Sequence, residues 1–97
     1  MRKRNTESLG EVLRQFFEEN PFFRRKFAES KVITGWNTIL GTSVASYTTN
    51  VYFRNSTLYV HLSSSVLRAE LILIKERIIL NLNAHAGMDI VQDIIFR

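Results

Sequence analysis

Between Thr48 and Leu62 the chain reads Thr48-Thr49-Asn50-Val51-Tyr52-Phe53-Arg54-Asn55-Ser56-Thr57-Leu58-Tyr59-Val60-His61-Leu62. Here the apolar period is two. Val51 and Phe53 alternate with Tyr52 and Arg54, and Leu58, Val60 and Leu62 alternate with Tyr59, His61 and Ser63. Successive side chains of a strand point to opposite faces, and the polar Asn55-Ser56-Thr57 between the two runs supplies a turn, so this segment predicts a β-hairpin. On both sides of it the apolar spacing returns to three and four, which is the spacing of helix.

Upstream, Ser8 and Glu11 form a Ser-x-x-Glu capping box, in which both side chains satisfy free backbone N–H groups at a helix start. Leu9, Val12, Leu13, Phe16 and Phe17 then make one apolar stripe over two turns. Asn20-Pro21 ends that helix and starts the next, since Asn caps well and Pro fits the first helical position. The second helix carries Phe22, Phe23 and Phe27, with Arg24, Arg25 and Lys26 on its other faces, and resumes with Val32, Ile33, Trp36, Ile39 and Leu40. The phase of the stripe changes near Ser30, which predicts a break or kink there. Gly41 is a natural C-cap, with one further short turn over Thr42 to Tyr47.

Downstream, Ser64 or Ser65 to about Ala86 contains no Gly or Pro and predicts one long helix closed by Gly87, and Ile90 to Arg97 reads as a last strand. In that helix Leu67, Leu71, Ile74, Ile78 and Leu82 form the stripe expected to pack on the sheet, against Phe53, Val60 and Leu62. Val66, Leu73 and Leu80 form a second stripe, and Ile72 and Ile79 a third. Either the N-terminal helices cover these minor stripes, or one of them stays exposed and meets a partner. The predicted order is α-α-β-β-α-β, a single α+β domain over residues 8–97. A small sheet is covered by the long helix and the N-terminal helices. Residues 1–7 read as a flexible basic arm carrying Arg2, Lys3 and Arg4.

Composition narrows the function classes. With 97 residues the chain makes one domain. It has no Cys, so disulfides and thiolate metal sites are excluded, which fits a reducing cytoplasm. No apolar run approaches the roughly 20 residues of a membrane span, and no apolar stretch follows the charged N-terminus as in a secretory signal. His61 and His85 lack a His-x-x-x-His or His-Glu-x-x-His partner. Ser63, Ser64 and Ser65 precede a helix without a Gly-x-Ser-x-Gly elbow, and serve as N-caps or as a phosphate contact at a helix start. The four glycines build no Walker or Rossmann loop. These readings point away from an enzyme, a metal or a cofactor.

The formal net charge is +4, a balance that suits a polyanionic partner. Residues 1–50 carry eight basic and five acidic side chains, against five and four in 51–97. The candidate nucleic-acid contacts are Arg2, Lys3 and Arg4 on the arm, Arg24, Arg25, Lys26 and Lys31 on the second helix, and Arg54 on the hairpin. A solvated helix face accounts for Arg24 to Lys26 equally well. Tyr52, Arg54, Tyr59 and His61 share the outer hairpin face, where they stack bases or contact phosphates, or pair across the strands for stability alone.

Read together, Val32-Ile33-x-x-Trp36, Ile39-Leu40-Gly41, Val44-Ala45 and Tyr47-Thr48 resemble the N-terminal half of the DciA family. Leu58-Tyr59-Val60, Ser64-Ser65-Val66-Leu67-Arg68-x-Glu70-Leu71 and the closing Ile90-Val91-x-Asp93-Ile94-Ile95-Phe96-Arg97 resemble its second half, so that the likeness runs from about Leu9 to Arg97. The opening Arg-Lys-Arg-Asn and capped first helix are similar to its short, Bacteroidetes-type members. The resemblance implies a KH-like domain in a bacterial, cytoplasmic replication protein that binds DNA and acts with the DnaB-type replicative helicase. It also marks Trp36 as a family position, either a core residue or a partner contact; Leu73 and Leu80, from the second helix stripe, are the other partner-contact candidates. No Gly-x-x-Gly lies between helices, so the phosphate clamp of KH domains is not expected. Nor does a long tail follow the last strand, as in many members, which leaves arm and domain to make the contacts. At Val66-Leu67 many relatives place a larger aromatic. Against this reading stand a protein-interaction module or homodimer without nucleic-acid affinity, and an RNA-binding KH-like protein. One continuous basic face through Arg24, Arg25, Lys26 and Arg54 favours nucleic acid; an exposed Leu73/Leu80 or Ile72/Ile79 strip favours protein partners.

Overall fold

A computed structural model describes residues 8–97; the arm, with Arg2, Lys3 and Arg4, lies outside them. Helix α1 (Leu9–Glu19) starts where Ser8 accepts the Glu11 N–H at 3.1 Å. Asn20 closes it, its backbone N–H donating to the Phe17 carbonyl and its side-chain amide to that of Phe16 at 2.8 Å. Asn20 therefore caps the end of α1 rather than the start of the next helix, which opens on Pro21 without a side-chain cap.

Helix α2 (Pro21–Tyr47) runs unbroken through Ser30, contrary to the expected kink. The change of phase marks a change of neighbour. Phe23 and Phe27 face α1, their ring centroids 5.7 Å from Phe16 and 5.3 Å from Phe17. Beyond them Ala28, Val32, Gly35 and Trp36 are buried against the body of the domain. The kink comes at Gly41, whose φ of 89° only glycine adopts readily.

Strands β1 (Thr48–Arg54) and β2 (Thr57–Leu62) pair antiparallel, with Tyr52 opposite Tyr59 and Arg54 opposite Thr57. The loop is only Asn55-Ser56, both with φ near +55°, a two-residue turn of the kind that matches strand twist. Thr57 thus belongs to the strand. Strand β3 (Asp93–Phe96) lies parallel to β2, giving the order β1-β2-β3.

The predicted long helix is two, α3 (Ser65–Leu73) and α4 (Lys75–Ala86), which corrects the element order to α-α-β-β-α-α-β. Ser64 caps α3 by accepting the Leu67 N–H at 3.1 Å. Ile74, at φ −113° and ψ 21°, leaves the helical region between them. Leu71 and Ile78 are buried on either side of it, whereas Ile74 is turned outward and falls out of the expected core stripe. Without the break, residues 65–86 would form one straight helix of about six turns over a small twisted sheet. Gly87 ends α4 in the left-handed region, as its position predicts.

Helices α2 and α4 pack on each other and cover one sheet face. Trp36, Leu58, Leu82, Ile90, Ile94, Val32 and Val60 are fully buried, and Phe53 packs at the edge of this core. Asn83 is buried but satisfied: its amide donates to the Val91 carbonyl at 3.1 Å and accepts the Val91 N–H at 2.9 Å, holding the α4–β3 connection. Trp36 donates its indole N–H to Thr48 Oγ1 at 3.1 Å, and Thr48 in turn donates to the Val44 carbonyl. That burial corrects the partner-contact reading of Trp36, since the ring reaches no surface.

Candidate nucleic-acid interface

Consecutive helical residues step by about 100°, so Arg24, Arg25 and Lys26 cannot share one face. Arg25 turns towards the hairpin, where its guanidinium donates to Ser56 Oγ at 3.4 Å across 31 positions of sequence. Glu29, one turn on, lies 3.5 Å from Arg25 Nε and 3.7 Å from Lys26 Nζ. Lys26 also sits 5.7 Å from the centre of the Phe22 ring. Arg54 closes β1 directly before the turn. Arg25, Lys26, Glu29, Phe53, Arg54, Asn55 and Ser56 line one open cleft of about 480 Å³. Three cations against one carboxylate leave it positive, and the cations are exposed to solvent.

Arg54 is two residues from Tyr52 on the same strand, so both project from the sheet face opposite the helices. On that face the Tyr52 and Tyr59 rings stack at 4.8 Å with only 9° between their planes. His61 lies 6.1 Å from Tyr52, and the Arg97 guanidinium is 5.2 Å from the Tyr59 ring centre. A guanidinium–phenol–phenol stack thus runs across the sheet and ends on β1, an edge strand. Arg54 lines the charged cleft and, by strand alternation, belongs to the side of the sheet that carries the aromatic row.

The other two predicted cations among the described residues, Arg24 and Lys31, lie elsewhere. Arg24 borders the groove between α1 and α2, and with Lys31 and His85 it lines a second groove of about 240 Å³ near Gly87. The continuous basic face through Arg24, Arg25, Lys26 and Arg54 that would favour nucleic acid is therefore not formed whole: Arg25, Lys26 and Arg54 share the cleft, and Arg24 borders the α1–α2 groove instead. Arg97, Asn55 and Ser56 were missed by sequence reasoning. Arg97 joins the aromatic row only through the parallel pairing of β3 with β2, which no local pattern announces.

Of the minor stripes, Leu73 is 83% exposed, Leu80 69% and Val66 72%. Ile72 is exposed and Ile79 buried, so the third stripe is divided. Among the described residues no group of His, Asp and Glu is arranged to hold a metal ion, and no helix is long and apolar enough to cross a membrane. Lys75 Nζ lies 2.9 Å from Asp93. Its hydrogen bond holds the Asp93 carboxyl below the usual carboxylate range, outweighing the small opposing effect of burial. This pair ties the start of α4 to β3.

The model of the family described as Dna[CI] antecedent, DciA, matches residues 8–96. Neither a curated protein nor a solved structure matches the chain.

Proposed function

Since this chain belongs to the DciA family, a family of replication-associated helicase loaders, we propose that it is a DNA-binding accessory of the DnaB-type replicative helicase. The observation that carries the DNA-binding part is the convergence of Arg25, Lys26 and Arg54 on one cleft beside the Tyr52–Tyr59 stack. Cations at a cleft neutralise phosphates, and aromatic rings beside it give bases of any sequence a face to stack on. This pairing favours single-stranded DNA, whose bases are free to stack. The succession β2-α3-α4-β3 supports the KH-like reading of the domain. Its helix junction reads Leu73-Ile74-Lys75 rather than Gly-x-x-Gly, so phosphate contact passes to the cleft.

The helicase contact is assigned to the apolar side chains left open on α3 and α4, Val66, Leu73 and Leu80. A loader must hold protein and DNA at once, and these residues lie on elements other than those that form the cleft. Exposed apolar groups of this kind mark interaction surfaces. Capture of the purified cognate helicase and of labelled single-stranded DNA by the immobilised chain tests both parts. The R25A/K26A/R54A variant is expected to lose DNA and keep helicase, and L73E/L80E the reverse. If the wild-type chain captures neither, the reading fails; if it captures helicase but no DNA, the protein-interaction reading replaces it.

A further inference from the structure

Helix α1 is strongly amphipathic yet has no buried residue. Leu9, Val12, Leu13 and Phe16 are between 40% and 74% exposed, and so are Phe22, Phe23 and Phe27 at the facing start of α2. The hairpin is held together by two pairs of phenylalanine rings, Phe16 with Phe23 and Phe17 with Phe27. An 11-residue helix is marginal in water without a packed face. The sequence thus encodes an apolar surface that the described residues of one copy do not cover.

We infer that this surface is covered by a second copy, with α1 of each protomer laid on the start of α2 of the other about a two-fold axis. Two features select this occupant. The first is charge. Helix α1 carries Glu11, Glu18 and Glu19 against Arg14, which pairs with Glu11 at 3.9 Å. Glu18 and Glu19 form no ion pair among the described residues, and neither do Arg24 and Lys31 of α2. Glu18 and Arg24 border the same groove, of about 680 Å³, between the two helices. An acidic helix and a basic one in each protomer make the surface self-complementary, as a two-fold interface requires. The second is area. Seven large side chains about half exposed present on the order of 700 Å², close to the roughly 800 Å² each partner contributes to a stable interface. Arg24 and Lys31 then serve assembly while Arg25, Lys26 and Arg54 serve the cleft. This assembly requires neither DNA nor helicase.

Sedimentation of the full chain without nucleic acid, up to about 200 µM, tests it; an interface of this size associates well below that concentration. The wild type is expected to pass from 11.3 kDa to twice that mass as concentration rises. V12E/F16E should stay at the monomer mass with the domain's cooperative unfolding retained; because F16E also removes the ring pair with Phe23, L9E/V12E, which touches neither ring pair, is expected to give the same result. E18K/E19K and R24E/K31E should each be monomeric, and their equimolar mixture should dimerise, because the mixed pair restores opposite charges at both contacts. A wild type that stays monomeric throughout overturns the proposal, and if V12E/F16E then loses helicase capture the surface belongs to the helicase. A dimer indifferent to V12E/F16E, or charge variants that stay apart when mixed, overturns it as well.

Discussion

Gly35 sits where α2 crosses α4, and a Cβ built there would lie 2.6 Å from Cδ2, 3.1 Å from Nε2 and 3.4 Å from Cγ of His85. Three atoms of one ring are involved, the innermost included, so the imidazole cannot escape by turning its tip; it must swing about χ1. Replacing Gly35 with Ala brings two opposed effects. Helix propensity favours Ala in a helix interior by about 1 kcal/mol. Overpacking of a fitted contact costs about 1–3 kcal/mol, so G35A is expected to destabilise the domain by roughly 1 kcal/mol net. In an H85A background the obstacle is gone and propensity alone remains, so the same substitution should stabilise by up to about 1 kcal/mol. The double-mutant cycle should therefore show a coupling of about 1–2 kcal/mol between positions 35 and 85. Urea denaturation of the four proteins, followed by the emission of Trp36, measures it. Additive effects, or a G35A that stabilises the wild type, would refute the close α2–α4 contact.

Other consequences follow from the same packing. Leu71, only 4% exposed, should cost about 2–5 kcal/mol on truncation to Ala, read from denaturant midpoints; a change below 1 kcal/mol would place it outside the core. Changing Leu73 and Leu80 to Glu should leave stability within about 0.5 kcal/mol per site, and a large loss would mean that these positions are packed after all. The Asp93 carboxyl is held below its ordinary range by Lys75, so its contribution is present above the unfolded carboxylate pKa of about 4 and is lost as pH falls through the folded value. Wild type and D93N should thus differ in stability at pH 7 and converge in strong acid; a difference independent of pH would exclude the ion pair as its source.

The hairpin was legible because alternation at Val51, Phe53, Leu58, Val60 and Leu62 leaves one register that turns all five to the core side, Val51 and Phe53 at its edge. Gly41 and Gly87 were legible because positive φ selects glycine. The break at Ile74 was not: no Gly or Pro marks it, and it exists because α3 and α4 answer to different parts of a twisted core. The expected kink at Ser30 failed for the complementary reason, since a shift in apolar phase records a new packing partner as readily as a bend. For the site, residue types were legible and their grouping was not. Arg25 and Arg54 lie 29 positions apart and meet only because α2 runs back beside the hairpin turn. Arg24, adjacent in sequence to Arg25, is carried to another face by a single helical step.

On the function proposed above, Arg25, Lys26 and Arg54 form one phosphate-binding cleft. Its most direct test is the salt dependence of binding to labelled single-stranded DNA, measured by anisotropy at several salt concentrations for the wild type and for R25A/K26A/R54A. Each phosphate neutralised on a single strand contributes about −0.7 to the slope of log K against log salt. Three lost contacts should flatten the slope by about two units. The loss should be alike for unrelated sequences, because phosphate contacts position the strand without reading it. Equal slopes for the two proteins, or no binding by the wild type at low salt, would contradict the account.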